Sequence, residues 1–211
     1  MLKAPRGTKD ILPEEVAKWR KLEDTARAVF ESNGYGEIRT PIFELTGLFT
    51  RSIGETTDIV EKEMYTFAKA QDKESITLRP EATAPVVRAY VEHSLFKSKA
   101  FRKFYYIGPM FRYERPQAGR QRQFHQLGVE ALGSCDPLLD AEMILITQEI
   151  LRRVGAGATH VKINSCGCPA CRPAWRARLK DELAGARGAL CPDCLRRYER
   201  NVFRILDCKN P

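Results

Sequence analysis

The segment that most limits how this chain can fold is residues 103–133, KFYYIGPMFRYERPQAGRQRQFHQLGVEALG. Two β-rich arms flank ERPQAGRQR, which contains Pro116 and Gly119, so the segment reads as one long antiparallel hairpin. Side chains alternate across a strand, which puts Met110 and Arg112 on one face and Phe111 on the other. On the second arm Gln126, Gly128 and Glu130 share a face, opposite Leu127, Val129 and Ala131. A glycine between an amide and a carboxylate leaves a hollow with polar walls, suited to a small polar ligand. The plainer alternative is a solvent face with a glycine bulge.

The segments around the hairpin alternate between helix and strand patterns. Residues 13–33 carry Val16, Trp19, Leu22, Ala26, Val29 and Phe30 as a helical stripe, opened by Pro13 with two glutamates and closed at Asn33-Gly34. EIRTPIFEL, residues 37–45, reads as a strand that is an edge or bends at Pro41. SITLR, residues 75–79, is a short strand, and Pro80 then imposes an extended step. Thr83 is the expected N-cap of a helix with Pro85 in its first turn, running to about His93. Residues 136–154 read as a mostly buried helix opened by Asp136-Pro137 and closed by Gly155, followed by a strand-like THVKI. Helices packed on a largely antiparallel sheet, an α+β class, account for this order. A composition shift near residue 158 divides the chain into residues 1–158 and a Cys-, Arg-, Gly- and Pro-rich stretch over residues 159–211.

With 211 residues, 43% of them hydrophobic, the chain is long enough to bury a sizeable core. The longest apolar run, Met143 to Ile146, falls far short of the roughly 20 residues of a membrane span. The amino terminus, MLKAPRGTKD, is polar and lacks the apolar run of a secretory signal, so the expected location is the cytoplasm. The net charge of +8 is unevenly placed. Residues 102–122 hold six bases against Glu114 alone, and residues 172–209 hold ten bases against five acids. Two basic segments in an otherwise slightly acidic chain point to polyanion contacts there, a solvated basic face being the alternative. Neither G-x-G-x-x-G nor the P-loop pattern occurs, so any ATP must be held by arginines on a sheet.

Six of the seven cysteines lie between Cys166 and Cys208. Cys168-x2-Cys171, nineteen residues, then Cys191-x2-Cys194 is the spacing of paired zinc knuckles. Cys166 and Cys208 are substitutes for one ligand, and reduced, unliganded thiols are the alternative to a structural Zn2+.

PRGTKDILP, GYGEIRTPIFE, ETTDIVEKEMYTF, LRPEATAPVVRA and IGPMFRYERPQAGRQRQFHQLGVE together resemble the histidyl-tRNA synthetases, a family of class II aminoacyl-tRNA synthetases. Residues 13–45 are similar to motif 1 of that class and residues 103–133 to motif 2. The resemblance implies a class II catalytic domain, here incomplete, with a small Cys-rich appendage that begins an insertion. It implies histidine, ATP with Mg2+ and tRNA as substrates, and through motif 1 a homodimer. Arg112 matches the arginine at the α-phosphate, and Glu114 the glutamate near the adenine amino group. Glu81 and Thr83 match contacts to the amino acid, Gln126 one on its amino-group side, and Glu130 the carboxylate facing the imidazole. Arg115, Arg120 and Arg122 lie in the loop that meets the tRNA acceptor end, while His125 is expected to be a packed strand residue. Ala82 stands where the family frequently has glycine, and Asn201-Val202 where it commonly has Asn-Pro.

Two rivals come from other classes. A non-catalytic histidyl-tRNA-synthetase-like regulatory subunit of histidine biosynthesis would bind histidine without ligating it, and would need neither the FRYE arginine nor a basic acceptor loop; both are present. A zinc-ribbon nucleic-acid module leaves residues 1–133 unexplained. The family's later histidine-specific motif, motif 3 and anticodon-binding domain have no match in these residues, so the chain is expected to be the front part of a longer protein or a truncated product. Histidine-dependent pyrophosphate exchange by the chain alone is accordingly expected to stay near background; family-like turnover is the contrary result.

Overall fold

The structure, a computed structural model, describes residues 2–53, 63–68, 74–114, 117, 119–165, 167–208 and 210. Arg115, Cys166 and most of ETTDIVEKEMYTF lie outside the described residues. Contacts divide the chain into two compact units, Met1–Thr159 and His160–Pro211.

The first unit is α+β. Its elements are α1 (Pro13–Ser32), β1 (Gly36–Glu37), β2 (Phe43–Leu45), α2 (Thr46–Ile53), β3 (Thr66–Phe67), β4 (Ile76–Leu78), α3 (Thr83–Glu92), β5 (Arg102–Phe111), β6 (Gln123–Leu132) and α4 (Pro137–Arg153). The strands form two three-stranded sheets, ordered β1-β5-β6 and β2-β4-β3. Among the described strands only β1 with β5 is parallel. The expected strand over residues 37–45 therefore bends hard enough at Pro41 to place its two ends in different sheets.

β5 and β6 are the long hairpin, with Phe104 opposite Glu130, Tyr106 opposite Gly128, Gly108 opposite Gln126 and Met110 opposite Phe124. Directly opposed residues share a face. The odd-numbered face of β5 carries Tyr105, which joins Ala26, Val29, Phe30, Tyr35, Ile146 and Ile150 in the core. α1 and α4 cover this face, and the Phe30 and Tyr105 rings stack at 5.1 Å. Burying side chains of this size contributes about 1.5–3 kcal/mol each, which makes this layer the main source of cohesion. Polar ends are satisfied at its edge: the Tyr105 hydroxyl donates to Glu31 at 2.9 Å, and Lys103 donates to Glu142 at 2.7 Å.

Both helices end as their sequences require. α1 has Pro13 at its start with Glu14 and Glu15 in the first turn, and the Asn33 side chain donates to the Val29 carbonyl at 2.8 Å at its close. The Asp136 carboxylate accepts from the Leu138 N–H at 2.9 Å to cap α4. Only Ile146 and Ile150 of α4 are buried, so the helix is amphipathic and not mostly buried as its composition suggests; Leu138 is 73% exposed. THVKI forms no strand, and its Ile163 is 81% exposed. Alternation alone makes no strand without a neighbour to receive its backbone hydrogen bonds.

One buried cation links the two sheets. Arg79, 8% exposed, donates from Nε to the Pro109 carbonyl at 3.0 Å and from Nη1 to the Thr40 carbonyl at 3.0 Å and the Pro41 carbonyl at 3.4 Å. Its own N–H donates to Ile42, and its carbonyl accepts from Phe111. Gly108 makes room for it, since a Cβ there would lie 2.7 Å from Arg79 Nη2. Desolvation lowers the Arg79 pKa, yet its N–H groups meet carbonyl oxygens from both sheets.

The second unit contains α5 (Arg172–Ala184), α6 (Pro192–Arg200) and a 3-10 turn, Val202–Asp207. Cys194, Tyr198, Val202 and Ile205 form its buried core.

Arg79→Met is expected to lower the unfolding free energy of the first unit by about 3 kcal/mol or more, since each stranded buried acceptor costs roughly 1–3 kcal/mol. Urea denaturation followed by tyrosine and tryptophan fluorescence measures this; a loss below about 1 kcal/mol would show that the sheets hold without it.

Candidate functional site

The even-numbered face of the hairpin, turned away from α1, carries Tyr106, Gly108, Met110 and Arg112 on one arm and Gln126, Gly128 and Glu130 on the other. The turn from Arg79 to Thr83 meets this face. Thr83 Oγ1 donates to Glu130 at 2.7 Å, and Arg112 Nε donates to the Pro80 carbonyl at 2.9 Å. Two ends of the ribbon are thus tied to one five-residue turn.

Thr83 is the first residue of α3, with Ala82 as the N-cap, and so is not the cap its sequence context suggests. Glu81 does that work: its carboxylate accepts from the Thr83 N–H at 2.6 Å and the Ala84 N–H at 3.1 Å. A carboxylate at the positive end of a helix is favoured on its own account. This arrangement frees the Thr83 hydroxyl for Glu130.

The expected hollow over Gly128 is filled. A Cβ at Gly128 would lie 2.2 Å from Tyr106 Cζ, so the Tyr106 ring lies across the bare glycine of the opposing strand. The space between Gln126 and Glu130 has an aromatic floor, and sequence reasoning missed Tyr106 as its source. Alternation puts Tyr106 on this face, but only the hairpin register puts it opposite Gly128. Arg79 was missed too; an arginine closing an apolar strand before Pro80 is the signal that marks it.

Burial pushes the Tyr106 phenol up to about 12, reinforced by Glu130, while a hydrogen bond with Thr83 pulls the other way. It remains a neutral O–H near neutral pH. Burial also raises the Glu130 carboxyl; the Thr83 hydrogen bond opposes this and Glu81 adds repulsion. The Gln126 side-chain oxygen is buried without a hydrogen-bond partner among the described residues, an acceptor available to a ligand N–H.

Toward the hairpin loop, the Arg112 guanidinium lies 5.1 Å from the Phe124 ring centre and 3.9 Å from Glu114. Glu114 Oε2 is buried without an aligned hydrogen bond, although Arg120 Nη1 approaches it to 3.4 Å. Arg120 is exposed. Arg122 instead packs on the Tyr113 ring at 4.1 Å and donates from Nε to the Glu114 carbonyl at 3.2 Å. Gly7, at φ +86°, lies so close that a Cβ would sit 2.7 Å from Arg122 Cγ, and its carbonyl accepts from the Arg122 N–H. His125 packs edge-on against Trp19 on the opposite face.

The structure therefore gathers Glu81, Thr83, Gln126, Glu130 and Arg112 along one ribbon face. The order from Glu130 through Gln126 to Arg112 follows the strand direction, each step covering about 13 Å at the backbone.

A sequence profile described as histidyl-tRNA synthetase matches residues 7–168. The chain belongs to the histidyl-tRNA synthetase family. The histidine–tRNA ligase of Moorella thermoacetica is 60% identical over 207 residues, covering 98% of this chain and 49% of the relative. The crystal structure of apo histidyl-tRNA synthetase from S. aureus is 41% identical with a TM-score of 0.71, covering all of this chain and 49% of that one. An ATP phosphoribosyltransferase regulatory subunit/histidyl-tRNA synthetase from Bacillus halodurans is 25% identical with a TM-score of 0.65, covering 90% of this chain and 51% of that one. The chain spans about half the length of the curated relatives it matches. In this family member no helix among the described residues is long and apolar enough to cross a membrane.

The cysteines assemble differently from their spacing. Cys168 and Cys171 form an exposed pair with sulphurs 3.6 Å apart. The Cys191, Cys194 and Cys208 sulphurs lie within 4.8 Å of one another, and the Cys168–Cys171 pair does not belong to that group.

For an acid whose pKa rises on folding, the group's stability contribution is full below the unfolded pKa and is lost as pH climbs through the folded one. Glu130→Gln removes this loss while keeping an acceptor for Thr83. The variant is expected to lose less stability than the parent as pH rises from about 4 in parallel denaturant titrations; equal slopes would show that Glu130 is not desolvated.

Proposed function

We propose that this chain supplies the histidine- and ATP-binding half of a histidine–tRNA ligase. The enzyme joins the histidine carboxylate to the α-phosphate of ATP, releasing pyrophosphate, and passes the histidyl group to the tRNA 3′ end. An ionised carboxylate attacking in line needs no general base, so positioning and charge stabilisation carry the chemistry.

The observation that carries this reading is the order of groups along one ribbon face. Glu130, backed by Thr83 and Tyr106, accepts the imidazole N–H and disfavours apolar side chains. The open acceptor of Gln126 meets the ammonium, with Glu81 supplying negative charge nearby. Arg112, held by Nε on the Pro80 carbonyl, turns its remaining N–H groups to the α-phosphate, where a planar fork suits shared phosphate charge. The unaligned Glu114 oxygen accepts from the adenine amino group. ATP enters with Mg2+. Residues 1–158 are the catalytic core with motifs 1 and 2, and residues 159–211 begin an insertion.

The exposed Arg120, together with Arg115, supplies phosphate contacts for the tRNA acceptor end, and Arg122 braces the base of that loop. Phe43, Leu45, Phe67 and Ile76 share one exposed face of β2-β4-β3, which supports a homodimer. The protein acts in the cytoplasm. The name of the Bacillus halodurans relative joins a regulatory subunit and a synthetase, so likeness of fold is not what favours the ligase. Arg112 and Glu114 favour the ligase.

Calorimetric titration of histidine into the chain is expected to show weak binding, reduced about tenfold or more by Glu130→Ala, the ~1.4 kcal/mol scale of one charge-assisted hydrogen bond. Leucine should not bind. Equal binding of leucine, or no effect of the substitution, would refute the assignment.

A further inference from the structure

The second unit carries a thiol cluster that histidine activation does not use. Cys191 is the N-cap residue of α6, Cys194 lies in its first turn, and Cys208 follows the 3-10 turn Val202–Asp207. The three come from both ends of the packed core formed by Cys194, Tyr198, Val202 and Ile205, against which Cys191 and Cys208 also pack. The Cys191 and Cys208 sulphurs are 3.9 Å apart, and all three lie within 4.8 Å. A disulfide needs sulphurs about 2.05 Å apart. Two thiolates on one tetrahedral zinc, at Zn–S distances of about 2.3 Å, sit about 3.8 Å apart. The Cys191–Cys208 separation is that of two sulphurs on one ion, and the Cys194 sulphur lies close enough to close on the same ion.

We propose that Cys191, Cys194 and Cys208 bind one soft divalent cation, Zn2+, as three thiolates, with solvent at the fourth position. Cys194 is buried, whereas Cys191 and Cys208 are partly exposed, so the open position lies on their side. Binding releases the three thiol protons and leaves a net charge of −1. Two features of the chain favour that charge. Cys191 stands at the positive N-terminal end of α6, and residues 172–209 carry ten bases against five acids. The ion ties the start of α6 to the end of the 3-10 turn. Its ligand set includes Cys208 and omits Cys168 and Cys171, unlike the set that sequence spacing selects.

Cobalt(II) titration of the reduced full chain tests this. One equivalent is expected to give sulphur-to-cobalt charge-transfer absorption and intense tetrahedral d–d bands, both displaced by Zn2+. Cys208→Ser should reduce the charge-transfer intensity by about a third or abolish binding, one of three thiolates being lost. The double variant Cys168→Ser/Cys171→Ser should match the parent in intensity and stoichiometry. Circular dichroism of each apo variant confirms that it is folded. Absence of the bands in the parent, an unchanged spectrum in Cys208→Ser, or loss of thiolate intensity in a folded Cys168→Ser/Cys171→Ser variant would each overturn the assignment.

Discussion

The buried guanidinium of Arg79 is the constraint on which the first unit's site depends. It holds carbonyls from the 40–41 bend and from the hairpin arm at once, so the two sheets cannot separate without stranding acceptors. The four residues that follow it place three more fixed points of the site: the Pro80 carbonyl sets Arg112, Glu81 closes the start of α3, and Thr83 reaches Glu130. An extended step at Pro80 followed at once by a helix lets one short segment address two distant places on a ribbon.

Charge is organised along that ribbon. At the Glu130 end, two carboxylates and a phenol crowd together, and burial makes the negative form of Glu130 costly. A hydrogen-bond donor placed against Glu130 lowers that cost. At the Arg112 end, cationic groups surround Glu114 and aromatic rings lie beneath the guanidinium groups of Arg112 and Arg122. Acidic and phenolic groups thus gather at one end of the ribbon and cationic groups at the other.

Much of this was legible in the residues. The hairpin, the shared face of Gln126, Gly128 and Glu130, and the ends of α1 and α4 follow from alternation, capping and proline placement, all local effects. Other features were not. The segment over residues 37–45 divides between two sheets because Pro41 bends it and two different partners, Phe104–Tyr105 and Ile76–Leu78, claim its halves. THVKI has the alternation of a strand and forms none. Thr83 gives up the cap to Glu81 because Glu130, 47 residues away, competes for its hydroxyl.

The sequence by itself determined which residues are acidic, basic or thiol-bearing, where helices start and stop, and which side chains share a strand face, because these depend on neighbours within a turn or two of the chain. Only the tertiary structure decided that the Tyr106 ring covers Gly128, that Arg79 bridges the sheets, and that Cys208 joins Cys191 and Cys194 while Cys168 and Cys171 stand apart. Those outcomes turn on cross-strand register and on how far apart packed elements come to rest, distances that no local spacing of residues encodes.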